Sequence, residues 1–104
     1  MELRLLRYFL VVAEELHVGR AAERLHMAQQ PLSAAIRRLE SDLGVELFER
    51  AANRIRLTPA GLVMVEEAGT ILRQVDAAAV RARRVAQGEL GTLRVGYCSR
   101  SPSN

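Results

Sequence analysis

The chain has 104 residues, 49% of them hydrophobic and only 4% aromatic, with a formal charge of +3. That is enough for one small core of Leu, Val, Ile and Ala. No apolar run approaches the ~18 residues needed to span a bilayer, the opening MELRLLRYF does not read as a secretory signal, and a lone Cys98 excludes a disulfide framework or a cysteine-cluster metal site. The default compartment is the cytoplasm, with the nucleoid as the expected neighbour. All 15 basic residues are Arg. A GC-rich genome would give that bias, and so would selection for phosphate and guanine recognition, where the planar guanidinium donates in pairs.

In chain order, residues 3–16 carry Leu3, Leu6, Phe9, Leu10 and Ala13 at steps of three and four, one face of a first helix. Val18, Ala21, Ala22 and Leu25 repeat the pattern over a shorter second helix. After a break at His26-Met27-Ala28, a third helix is expected over 30–43. Leu32, Ile36, Leu39 and Leu43 turn inward, Pro31 sits in the first turn, and Gly44 is the stop. Leu47-Phe48-Glu49-Arg50 and Arg54-Ile55-Arg56-Leu57 flank a small turn at 51–53. The alternation of Ile55 and Leu57 with Arg54 and Arg56 has a strand period, so a hairpin is expected. Thr58-Pro59 pairs an N-cap hydroxyl with proline at the first helical position. The long helix it opens should run over 59–88, roughly 40 Å at 1.5 Å per residue. Its stripe of Val65, Ala68, Leu72, Val75, Ala79, Ala82 and Ala86 alternates steps of three and four, a heptad seam suited to pairing two copies. Beyond Gly88, residues 92–97 read as one strand and residues 98–104 as a disordered tail.

The second helix, the tight turn and the third helix form a helix-turn-helix over about 18–37. Ala21, Leu25, Met27, Leu32 and Ala35 are its expected buried positions. An ordinary helical hairpin in a bundle would share that spacing. The outward face of the third helix separates the two readings. Gln30, Ser33, Ala34 and Arg37 recur at i, i+3, i+4 and i+7, with Gln29 just before them, and the first acid of that helix is Glu40. Gln offers an amide fork to adenine and Arg a fork to guanine. In the hairpin, Arg50, Arg54 and Arg56 follow one another with no acid between residues 50 and 57. A solvated strand edge has the same composition, but beside a recognition helix these cations suit phosphate or the minor groove.

The runs Ala21-Ala22-Glu23-Arg24-Leu25-His26, Gln29, Pro31-Leu32-Ser33 and Ile36-Arg37-Arg38-Leu39-Glu40 resemble the LysR-type transcriptional regulators. So do Leu43-Gly44-Val45-Glu46-Leu47-Phe48-Glu49-Arg50 and Leu57-Thr58-Pro59-Ala60-Gly61. The resemblance covers about residues 1–97. It implies a mainly α fold: a winged helix-turn-helix of three helices plus a two-stranded wing over 1–58, then a linker and dimerisation helix over 59–88. Residues 89–104 would be the first strand of a truncated effector domain and the tail. It implies sequence-specific binding of double-stranded DNA as a homodimer on an operator with two half-sites, the third helix in the major groove. A small-molecule inducer is expected only for a full-length form, and no cofactor, metal or membrane is expected.

Carried over by position, the resemblance puts Gln29, Ser33 and Arg37 on the DNA-contacting side of the third helix. With their neighbours, the expected DNA-binding set is Gln29, Gln30, Pro31, Ser33, Ala34, Arg37 and Arg38, with Arg50, Asn53, Arg54 and Arg56 in the wing, where Asn53 stands in place of a common Arg. Ala34 stands where many relatives carry a basic residue, and Ala28 replaces a common Ser. Neither His17 nor His26 is paired with a nucleophile, a metal-ligand cluster or a glycine-rich phosphate loop, so no catalytic residue is assigned. The alternative function is a truncated regulator acting mainly as a dimerisation partner of a full-length relative.

Overall fold

The computed structural model describes residues 1–52 and 54–88. Asn53, the strand expected over 92–97, Cys98 and the tail expected to be disordered lie outside the described residues. The element order is α1 (Leu3–Glu15), α2 (Val18–Arg24), α3 (Gln29–Leu43), β1 (Phe48–Ala51), β2 (Arg54–Leu57) and α4 (Pro59–Ala86). The expected winged helix-turn-helix with its long following helix is thus the fold observed.

The turns explain why the helices stop where they do. Leu16 closes α1 at φ 50° and His26 closes α2 at φ 56°, each a left-handed residue made by a side chain other than glycine. At the second of these, the His26 N–H donates to Glu23 O (3.1 Å) and the Met27 N–H to Ala22 O (3.0 Å). Two carbonyls orphaned at the end of α2 are satisfied in that way, and the turn before α3 is fixed. Gly44 ends α3 as expected, at φ 76°. His17, which no motif in the sequence assigns a role, is the N-cap of α2: its Nδ1 accepts the Arg20 N–H at 3.0 Å.

One apolar cluster ties the first compact unit, Met1–Leu72, together. It contains Leu5, Leu6, Phe9 and Val12 of α1, Ala21 and Ala22 of α2, Leu32, Ile36 and Leu39 of α3, Leu47 and Phe48 at the wing, and Ala68 and Leu72 of α4. The Phe9 and Phe48 rings meet at 5.5 Å and 53°, a tilted aromatic pair that joins α1 to the root of the wing. The inward set of α1 differs from the expected one. Leu3 is 40% exposed, whereas Leu5 and Val12 are buried. A helix with neighbours on two sides buries a wider arc than one stripe, and periodicity weighs only the stripe. The compact unit also runs on to Leu72, past the expected boundary at residue 58, because Ala68 and Leu72 fill this core. The second unit begins at Arg73; its described residues continue α4 to a left-handed stop at Gly88, φ 89°.

Thr58 holds the start of α4. Its Oγ accepts the Gly61 N–H at 2.9 Å, the expected N-cap, and donates to Glu46 O at 2.7 Å. Thr58→Ala removes both bonds and should cost about 2 kcal/mol, from a cap and one further hydrogen bond. Thr58→Ser, which keeps the hydroxyl, should stay close to wild type. Urea denaturation checks the pair, and equal midpoints for Ala and wild type would refute the double role.

Candidate nucleic-acid interface

The surface of interest starts with how α3 is held. Leu32, Ile36 and Leu39 lie in the core, so the opposite side of the helix faces solvent. Gln29, Gln30, Pro31, Ala34, Arg37 and Arg38 are all exposed, while Ser33 is half-buried at the flank of the buried stripe. Gln29 is the first residue of the helix rather than the one before it. Its amide nitrogen would lie 3.2 Å from a Cβ on Gly19, so the absent side chain at Gly19 leaves room for the Gln29 amide against α2. Ala28 occupies the N-cap and supplies no side-chain hydrogen bond. The first-turn N–H groups therefore point outward without an internal acceptor from the cap, which favours an anion there.

The wing pairs Phe48 with Leu57, Glu49 with Arg56, Arg50 with Ile55 and Ala51 with Arg54, antiparallel. Paired residues share a face of the hairpin, and this divides the three wing arginines that the sequence presented as one group. Arg50 shares the face of Phe48, Ile55 and Leu57, which packs on the core. Its Nη2 lies 3.5 Å from Glu40 Oε1. Arg54 and Arg56 share the outer face with Glu49 and Ala51. Arg56 Nη2 reaches Glu49 Oε1 at 3.2 Å, and both side chains are more than half exposed. An exposed pair of this kind is worth little, so it holds Arg56 only loosely. Ala52 turns the chain at φ 54°.

Charge is distributed unevenly over the unit. Arg24 donates to Glu14 at 2.8 Å and to Glu15 at 3.1 Å, and these hydrogen bonds hold its guanidinium pKa above the ordinary value. Arg20 lies 3.4 Å from Glu15. Among the described residues, Arg37, Arg38 and Arg54 have no carboxylate partner, so the outward α3 face and the outer wing face both carry uncompensated cations, as Arg7, Arg81 and Arg83 do elsewhere. No cluster of His, Cys, Asp or Glu able to hold a metal occurs among the described residues. None of the described helices is long and apolar enough to cross a membrane.

The seven seam positions of α4 separate into three kinds. Ala68 and Leu72 are buried in the core of the first unit, and Val65 packs against it. Val75 and Ala79 are half-buried and lie outside that cluster, and Ala82 and Ala86 are exposed. Ala68 and Leu72 are therefore occupied within the chain, which corrects the reading of the whole stripe as a surface open to a second copy. Periodicity identified an apolar face without distinguishing what covers it. Glu40 is the one buried charged residue among those described, a position not in the expected DNA-binding set. The signal for its burial was present, since Glu40 stands four residues after Ile36 and three before Leu43, on the inward face.

Residues 3–62 match the family model described as bacterial regulatory helix-turn-helix protein, lysR family. The chain is similar to the uncharacterized HTH-type transcriptional regulator YnfL of Escherichia coli, 50% identical over 102 residues that are 98% of this chain and 34% of that protein. It spans about a third of the length of the curated relatives it first matches. Among solved structures it is similar to the BenM DBD in complex with catB site 1 DNA, at a TM-score of 0.81 and 42% identity over 86% of this chain and 96% of that one. It is also similar to the CbnR DBD in its DNA complex, at 0.80 and 43% over 83% of this chain and 99% of that one. With its outward helix face, its wing and a family model that covers more than half its length, the chain belongs to the LysR family of bacterial regulatory helix-turn-helix proteins.

Proposed function

We propose that this chain binds double-stranded DNA sequence-specifically as part of a transcription regulator, as a dimer, with α3 in the major groove and the wing on the backbone or minor groove. The observation that carries this reading is the concentration of unpaired cations and amides on one exposed face of α3, beside Arg54 on the outer face of the wing. Similar chains in the BenM and CbnR structures are complexed with DNA, which supports it. Two half-sites require two copies, and the half-buried Val75 and Ala79 of α4, with the exposed Val80 and Val85, supply apolar surface for pairing. The curated relatives it first matches are described as HTH-type transcriptional regulators, which supports the regulatory reading.

Base contacts specify and phosphate contacts position. Arg37→Ala should therefore cost about 1–3 kcal/mol on the preferred duplex and flatten the preference for it. Arg54→Ala should weaken binding to all duplexes alike and reduce the slope of log K against log salt by about one. Fluorescence anisotropy over a salt series, on selected and random duplexes, measures both. Failure of the wild-type chain to bind any duplex would overturn the reading. An equal loss on both duplexes for Arg37→Ala would move that residue to the backbone.

A further inference from the structure

The DNA-binding surface just described makes no use of the buried carboxylate of Glu40. Glu40 lies near the end of α3, and its Oε2 accepts the Leu47 N–H at 2.7 Å and the Phe48 N–H at 3.2 Å. Its Oε1 faces the Arg50 guanidinium at 3.5 Å. Its backbone carbonyl also receives the Gly44 and Val45 N–H groups (2.8 and 3.3 Å), so the residue that closes α3 is the one that grips the root of the wing. From the opposite side, Thr58 donates its N–H to Leu47 O at 3.0 Å and its hydroxyl to Glu46 O at 2.7 Å. The N–H groups of Leu47 and Phe48 are thus held by α3, and the carbonyls of Glu46 and Leu47 by Thr58 at the start of α4. Leu47 and Phe48 are fully buried, so water cannot replace the carboxylate at their N–H groups.

We infer that Glu40 is a positioning residue that sets the wing on α3, and that Arg50 belongs to this strut rather than to the DNA-contacting set. The hairpin register supports the assignment: Arg50 is on the core-side face with Ile55, while Arg54 and Arg56 are on the other. The hydrogen bonds from the Leu47 and Phe48 N–H groups to the buried carboxylate are charge-assisted and hold direction as well as distance, and Arg50 adds a looser contact at 3.5 Å. The wing cations are thereby held at a fixed offset from Gln30 and Arg37, and Glu40 acts on DNA through them without touching it. This rests on the DNA-binding reading above.

The test combines amide hydrogen exchange without DNA and binding across a salt series, at a temperature where circular dichroism reports every variant folded. Glu40→Ala should speed exchange in the two wing strands by about tenfold while the α3 core amides stay protected. It should also lower affinity for any duplex by about tenfold, as the wing cations lose their place. Glu40→Gln, whose amide oxygen can still accept the two N–H groups, should recover most of both losses. Arg50→Gln should leave the salt slope unchanged, whereas Arg54→Gln lowers it by about one. If Glu40→Ala does not fold, the cycle of Glu40→Gln with Arg50→Gln decides. Losses that fail to add indicate one shared strut, and additive losses overturn it. A salt slope flattened by Arg50→Gln as much as by Arg54→Gln also overturns it, as does unchanged wing exchange in Glu40→Ala. Failure of the wild type to bind DNA would strike the functional reading alone, because wing exchange still judges the strut.

Discussion

Replacing Val75 and Ala79 together by Glu lowers affinity for a duplex with two half-sites by about two to four orders of magnitude, the range expected when the second of two linked contacts is lost. Both positions are half-buried on α4 and lie outside the core cluster of the first unit, whose last member is Leu72. Glutamate is a good helix former, so α4 should persist in the variant. In a dimer joined along this stretch, however, the substitutions bring new carboxylates onto an apolar seam. Leu72 must be left intact. It is 8% exposed, and a charge there would enter the core and unfold the unit, which would mimic the expected loss for the wrong reason. Gln74→Glu with Ala78→Glu is the control, because both positions are exposed on the same helix. Sedimentation equilibrium should find the seam variant monomeric and the control dimeric. A monomeric variant that binds as tightly as wild type would sink the idea, and so would a seam variant that remains dimeric.

The second large effect is expected at Gly61, which is buried in the first turn of α4. A Cβ there would collide with the Leu47 carbonyl oxygen, and it would stand 2.9 Å from Leu57 Cδ2 and 3.2 Å from the Leu47 carbonyl carbon. The leucine tip can rotate away, but the backbone at Leu47 cannot. That carbonyl accepts the Thr58 N–H, and the Leu47 side chain is fully buried. Gly61→Ala gains about 1 kcal/mol of helix propensity. Overpacking against backbone should outweigh it, for a net loss of about 2–3 kcal/mol. That is a large share of a typical total of about 5–15 kcal/mol. Urea denaturation at fixed protein concentration should move the midpoint down with the slope unchanged. A midpoint equal to or above that of wild type would mean that the wing root yields to the methyl group.

Local signals determined the elements of this protein. The 3.6-residue spacing in α1 to α3, the strand alternation of Arg54-Ile55-Arg56-Leu57, the stop at Gly44 and the Thr58-Pro59 start all act within a few residues, and each is observed at its expected place. The exposed face of α3 was legible for the same reason, because placing Leu32, Ile36 and Leu39 inward dictates where Gln30, Ala34 and Arg37 point. Tertiary structure decided what needs a partner distant in sequence. Whether Leu3 or Leu5 is buried depends on which neighbours pack on α1. Whether Ala68 and Leu72 face a second copy or the chain's own core depends on how much of α4 the first unit covers. Three wing arginines written close together become one on the core-side face beside Glu40 and two on the outer face, because cross-strand register assigns faces. Sequence periodicity reports that a face is apolar or basic; only packing decides what it meets.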